Sequence, residues 1–276
     1  MTRQAVHLGA TQETLLIPLY GRAVESRKPE GEAVLRDPAA EAMVEAIDYD
    51  FSRFDGGPSL TGAVLRTNLF DHWVRAFLAE HPGGTIVEIG AGLNTRYERV
   101  DNGRAHWFEL DLPDVIELRR TFVTDSARRR MLAASVLDAD WTAAPQAQGG
   151  PYFLAAEAVL GFLPEDGVRR ALDMLAERFP GALLALDTTG PGMVDTQDSH
   201  DALSKVSARL RWNCPDPKLL EEWRPGNRLL ASHIFTTMPA EVHDALPPRH
   251  QEMIAAMKQQ DLPQVRDYRL NLLQLG

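Results

Sequence analysis

Residues 85–96 read Thr-Ile-Val-Glu-Ile-Gly-Ala-Gly-Leu-Asn-Thr-Arg, and no other stretch restricts the fold of this chain as much. A short β-branched run carrying Glu88 is followed by a turn through Gly90 and Gly92. This pattern predicts the first strand of a nucleotide-binding α/β sheet and the loop at its carboxyl end, where the ligands of such sheets sit.

Strand and helix signals alternate from there. Strands are expected at 85–89, 105–110, 131–136, 152–157 and 182–187, and helices near 94–100, 113–123 and 165–179. Such alternation implies a mostly parallel sheet covered on both faces. Before it, residues 1–80 read as helical. Thr11–Arg27, Pro38–Ile47 and Leu60–Leu78 carry apolar residues at three- and four-residue steps, with Leu65, Leu69, Trp73 and Phe77 in one stripe. His81-Pro82-Gly83-Gly84 interrupts that pattern. The expected organisation is a helical cap over 1–82 and an α/β domain over 83–276, as one compact unit. In the tail, Arg228–Phe235 and Val265–Leu275 read as an antiparallel pair on the sheet edge, with a helix over Pro248–Gln259 between them. Residues 188–227 are long for a connection and read as a lid.

Composition removes several classes of partner. A net charge of -10 argues against a nucleic-acid backbone or an anionic membrane, which need clustered Lys and Arg. The dense basic run Arg128-Arg129-Arg130 reads as a solvated helix end. The lone cysteine, Cys214, allows no intrachain disulfide and fits a reducing cytoplasm. With no adjacent basic group it is a poor nucleophile. No apolar run approaches the roughly 20 residues of a membrane span, and no signal-peptide core precedes residue 20. The eight histidines lack metal-type spacing, so no metal is expected. Nothing here predicts an oligomeric state.

The ligand follows from charge. Gly90 and Gly92 permit a sharp turn and close approach of a ligand to the backbone. The third glycine of a dinucleotide fingerprint is missing, and Asn94, which tolerates positive φ, stands where another methyl-donor pattern has glycine. In Trp107-Phe108-Glu109-Leu110-Asp111, carboxylates fall at a strand end about 20 residues past the glycines, where an acid grips ribose hydroxyls. The alternative for Asp111 is a cap on the helix entered at Pro113. Glu88 beside the loop repels a pyrophosphate and suits an ammonium or sulfonium, which favours S-adenosylmethionine (SAM) over a nicotinamide dinucleotide. Glu157 stands alone in the apolar run Tyr152–Leu160. It either pairs with an arginine or faces the donor's ammonium.

These residues bring a known family into view. The chain resembles the leucine carboxyl methyltransferase-like family, and within it the bacterial polyketide O-methyltransferase branch of the tetracenomycin type. The resemblance rests on Asp37-Pro38, Arg66-Thr67, the run Val87–Arg96, Phe108–Pro113, Ser135–Asp138, Ala156–Leu160 and the closing Tyr268-Arg269-Leu270. It implies a class I SAM-dependent methyltransferase fold, Rossmann-like, with an N-terminal helical cap. It also implies donor contacts: Arg66 for the carboxylate, Gly90 in the loop, Asp111 for the ribose, and Glu157 after the fourth strand. Ser135 and Val136 align with an Asp-Leu pair that brackets adenine in the protein-methylating branch, a departure for which Asp138 is a possible substitute. A second upstream cation of relatives has Arg22 and Arg27 as counterparts.

Methyl transfer from a sulfonium is an in-line displacement that depends on holding the nucleophile close and collinear. An ionised carboxylate needs no base, whereas a phenol with a pKa of about 10 does. His200 and Tyr20 are the candidate catalytic groups, against bland roles as a solvated histidine and a packed ring. Trp212 and Phe162 are candidates to line the acceptor pocket, against simple core packing. The reading is a SAM-dependent O-methyltransferase acting on a carboxylate of a small-molecule acceptor. The alternatives are a phenol or hydroxyl acceptor and a noncatalytic SAM-binding regulator.

Overall fold

The computed structural model describes residues 4–5, 9, 11–260 and 263–276. Seven strands form its main sheet: β1 (Thr85–Ile89), β2 (His106–Asp111), β3 (Arg129–Ala133), β4 (Tyr152–Ala156), β5 (Leu183–Thr189), β6 (Arg228–His233) and β7 (Tyr268–Gln274). Their order is β3-β2-β1-β4-β5-β7-β6. The first five in that order run parallel, and β7 is antiparallel to both of its neighbours. This is the expected α/β class.

Residue alternation along the strands divides the core in two. Val87, Ile89, Phe108, Leu110, Leu154, Leu184 and Leu186 face one layer, where helix Glu165–Arg178 contributes Val168, Leu172 and Leu175. Ile86, Trp107, Phe153 and Ala185 face the other, under α3 (Ser59–Glu80). The predicted stripe Leu65, Leu69, Trp73 and Phe77 lies in that second layer, with the Phe77 ring 5.5 Å from Phe153. Before α3, α1 (Leu16–Ser26) and α2 (Pro38–Ala46) pack together through Leu19, Ala23, Ala40 and Met43. Asp37 caps α2 by accepting a hydrogen bond from Ala40 N.

Three expectations need correction. Arg128-Arg129-Arg130 is not a solvated helix end but the entry to β3. Arg129 is buried there because Glu109, on the adjacent strand, takes its guanidinium at 2.7 Å. The helix after Pro113 ends at Arg119 rather than 123. The Thr121 hydroxyl donates to Leu118 O at 2.7 Å, competing with continued helix. The expected antiparallel pair is present at the sheet edge: β6 forms the rim with Leu230 exposed, and β7 joins it to β5 with Leu270 and Leu273 fully buried. Asn94 does not use positive φ, since Ala158 is the only non-glycine among the described residues that does.

Among the described residues, no helix is long and apolar enough to cross a membrane. None of their His, Cys, Asp and Glu side chains form a group able to hold a metal ion.

Candidate functional site

A cavity of about 870 Å³ opens at the carboxyl ends of β1 to β5. It lies beside the switch point where β1 is flanked by β2 on one side and β4 on the other. Gly90 (φ +63°) and Gly92 (φ +50°) make the turn out of β1 in the left-handed region. A Cβ on Gly90 would also lie 2.4 Å from the Val159 side chain, so the loop after β4 seats directly on this glycine.

The loop is fixed from three sides. Arg22 donates to Leu93 O at 2.7 Å, Arg119 to Gly92 O at 2.9 Å, and Gly92 N donates to Asp111 Oδ2 at 2.6 Å. The other oxygen of Asp111 accepts from Leu112 N at 2.7 Å. Asp111 therefore steadies both the loop and the entry to the next helix, and it lines the cavity. A carboxylate has about four acceptor positions, so two backbone N–H bonds leave capacity for ligand hydroxyls. Burial raises its pKa, against the lowering effect of those N–H bonds and of Arg119.

Glu88 lies elsewhere. In β1 it shares the face of Ile86, which points under α3, and there Arg96 Nη1 takes both its oxygens at 2.8 and 2.6 Å. It is absent from the cavity lining, so the charge argument built on Glu88 does not hold. Glu157 takes that place. It lines the cavity and accepts from Arg66 Nε at 2.9 Å and from the Thr67 hydroxyl at 2.7 Å, with Arg96 on its second oxygen. Burial pushes the Glu157 carboxyl up, but Arg66 and Arg96 outweigh it and hold the group at about 2. The arginine pairing and the cavity-facing position foreseen as alternatives for Glu157 occur together.

A buried network extends from there. Arg96 and Arg99 share Asp71, Arg99 and Arg22 share Asp37, and Arg66 reaches Asp187 through Tyr268. Arg22, Arg66, Arg96 and Arg99 stand against Asp37, Asp71, Glu88, Glu157 and Asp187, and the exposed Arg75 reaches Asp71 at 4.0 Å. Among the described residues Arg66 Nη2 makes no hydrogen bond, and Arg66 lines the cavity. Arg22 lines it as well, whereas Arg27 is exposed and pairs with Glu45 at 3.0 Å.

Ser135 and Val136 line the cavity after β3. Asp138 does not; its Oδ2 accepts from Ser135 N at 3.1 Å and shapes that turn. At the opposite end the wall is apolar, with Phe162, Met193, Leu203 and Leu210. His200 lies there too. Its Nδ1 accepts from Ala202 N at 3.2 Å and Leu203 N at 3.1 Å, so the ring proton belongs on Nε2, 3.2 Å from Ser59 Oγ. Burial lowers its pKa against the pull of Asp201, keeping the ring neutral. Tyr20 is outside the lining, stacked on Phe51 at 5.3 Å and donating to Asp55 at 2.6 Å. Trp212 is buried in the core 5.9 Å from Trp223. Cys214 is buried, and that burial raises its thiol to about 12.

Arg96, Asp187 and Tyr268 were not foreseen as site residues. Arg96 and Tyr268 stand in stretches that carried the resemblance. Asp187 had a signal of its own, an acid ending an apolar strand, as Asp111 does.

Comparison with known proteins follows this geometry. The leucine carboxyl methyltransferase family model matches residues 16–176. The tetracenomycin polyketide synthesis O-methyltransferase TcmP of Streptomyces glaucescens is 31% identical over 82% of this chain and 83% of its own length. The S-adenosyl-L-methionine-dependent methyltransferase dpfgK of Gibberella zeae is 26% identical over 80% of this chain and 81% of its own. Among solved structures, a candidate methyltransferase from Thermobifida fusca superposes with a TM-score of 0.57 at 14% identity, covering 94% of each chain. A DUF574 family protein from Streptomyces avermitilis gives 0.55 at 17% identity, covering 93% of this chain and 97% of that one. Both structures speak for the fold alone.

Proposed function

This chain belongs to the leucine carboxyl methyltransferase family and is an S-adenosylmethionine-dependent methyltransferase, and from that premise we propose that it methylates a carboxylate oxygen of a small-molecule acceptor. The acceptor class is a polyketide or related secondary metabolite, as the name of the Streptomyces glaucescens relative suggests. Helices before residue 83 serve as cap and residues 188–227 as lid in this reading. The cytoplasm is its compartment, which the single buried thiol suits.

The cavity offers what such a donor requires. Asp111 has acceptor capacity for the ribose hydroxyls, and Ser135 and Val136 border the adenine position. Arg66 Nη2, with Arg22 nearby, holds the carboxylate, and Glu157 takes the ammonium. When bound, the donor supplies a methyl made electrophilic by its sulfonium. The residues of the chain then bind and orient. The apolar wall of Phe162, Met193, Leu203 and Leu210 excludes water and brings the acceptor into near-attack geometry.

The observation that carries a carboxylate acceptor is the state of His200. Its one lone pair is committed to two backbone N–H groups, leaving no nitrogen to take a proton from a hydroxyl. A carboxylate with a pKa of about 4 arrives ionised and needs no such group. A hydroxyl acceptor is the second reading, favoured by Asp187, a cavity-lining carboxyl whose pKa burial raises.

The test is turnover with methyl-labelled SAM and matched aromatic acids and phenols. An ester loses its label in mild alkali, and that outcome is expected. Label retained as an ether establishes the hydroxyl reading instead.

A further inference from the structure

We propose that Tyr268 and Asp187 are positioning residues for the methyl donor, fixing the plane of Arg66 and the turn that carries Glu157. The inference rests on the reading of Arg66 as the donor-carboxylate ligand.

Sheet register brings the pair together. In the antiparallel β5–β7 ladder, Asp187 is opposite Leu270 and Thr189 is opposite Tyr268. Tyr268 is two residues from Leu270, so it shares the face of Asp187 and sits diagonal to it. Such diagonal positions are about 7–8 Å apart, within reach of an aromatic side chain. The Tyr268 hydroxyl donates to Asp187 Oδ2 at 2.7 Å and accepts from Arg66 Nη1 at 2.8 Å. That direction is forced, because a guanidinium only donates and an ionised carboxylate only accepts. The Tyr268 ring is braced against Phe235, with centroids 5.7 Å apart.

Two hydrogen bonds define a guanidinium plane where one does not. Nε of Arg66 is held by Glu157 and Nη1 by Tyr268, which leaves Nη2 as the nitrogen with no partner among the described residues. Without the Tyr268 hydroxyl, Nη1 loses its partner and the plane is free to swing about the Nε contact. Asp187 acts on the neighbouring turn as well. Its Oδ1 accepts from Ala158 N at 2.6 Å, and Ala158 holds φ +57°. A non-glycine residue in that region is held there by its surroundings. This bond therefore helps aim Glu157, one residue before, and Val159, one residue after, which seats against Gly90. One hydroxyl and one carboxylate thus connect the carboxylate-binding arginine, the ammonium-binding acid and the glycine loop. Asp187, Tyr268, Arg66 and Glu157 all line the cavity.

The test uses the full chain and S-adenosylhomocysteine (SAH) as calorimetric probe, with kcat and KM for SAM measured alongside. Tyr268→Phe and Asp187→Asn are each expected to weaken SAH binding and raise KM for SAM by about tenfold, the scale of a charge-assisted hydrogen bond, with a smaller change in kcat. Asp187→Asn keeps an acceptor for Ala158 N and serves if Tyr268→Phe folds poorly. The decisive comparison is the Arg66→Ala/Tyr268→Phe double variant. A residue acting through Arg66 has nothing left to act on, so the double variant should bind SAH within about twofold of Arg66→Ala alone. Fully additive losses would mean a general structural role and overturn the proposal. So would Tyr268→Phe and Asp187→Asn binding SAH like the wild type while Arg66→Ala binds poorly. Wild-type affinity in Arg66→Ala defeats instead the donor reading of Arg66, and the proposal falls with it.

Discussion

Glu157 is held between Arg66 and Arg96, with the Thr67 hydroxyl on the oxygen facing Arg66. A buried acid paired this way stabilises the fold only while it is charged. Its depressed pKa of about 2, against 4.5 for an unperturbed glutamate, makes that contribution complete above about pH 4.5 and lost as pH falls towards 2. Glu157→Gln is therefore expected to cost about 3–5 kcal/mol in urea unfolding at pH 7, because it leaves two buried guanidiniums short of a partner. The gap should narrow at pH 3. An equal gap at both values, or none at pH 7, contradicts the ion-pair account. Glu157 was legible in the sequence because a carboxylate inside an apolar run must either pair or serve a ligand. Glu88 was misread for the opposite reason. Its nearness to the glycines along the chain says nothing about which face of β1 it takes, and alternation turns it under α3 towards Arg96.

At the level of elements, β2, β3 and the helix after Pro113 are joined at Glu109. Arg119 and Arg129 both bond its buried carboxylate, and burial that would raise its pKa is overcome by those two arginines, which lower it. Arg119 also holds Gly92 O, so this clamp supports the loop from behind. Glu109→Gln should lower unfolding free energy by about 3–5 kcal/mol, and a loss under about 0.5 kcal/mol would show the clamp to be dispensable. The alternation of apolar runs exposed the strands and most helices, because period and length are local properties. The start of β3 was not readable in the same way. Three consecutive arginines look solvated until the partner of the middle one is found on β2. Tyr268 was visible as a matching residue without a role, since its function depends on register with Asp187 across the sheet.

The cavity at the carboxyl ends of the strands has two chemically different ends. Charged side chains and the glycine loop gather near the switch point of the sheet, and apolar side chains from α1, the β4 loop and residues 193–210 close the other end. The proposed donor site lies at the loop after β1, with the ribose on Asp111. Calorimetric titration of SAH into the wild type and Asp111→Ala tests that claim most directly. The account predicts one site per chain, weakened about 10- to 100-fold by the substitution, the loss expected for charge-assisted hydrogen bonds. SAH binding equally well to both proteins would place the donor elsewhere and contradict it.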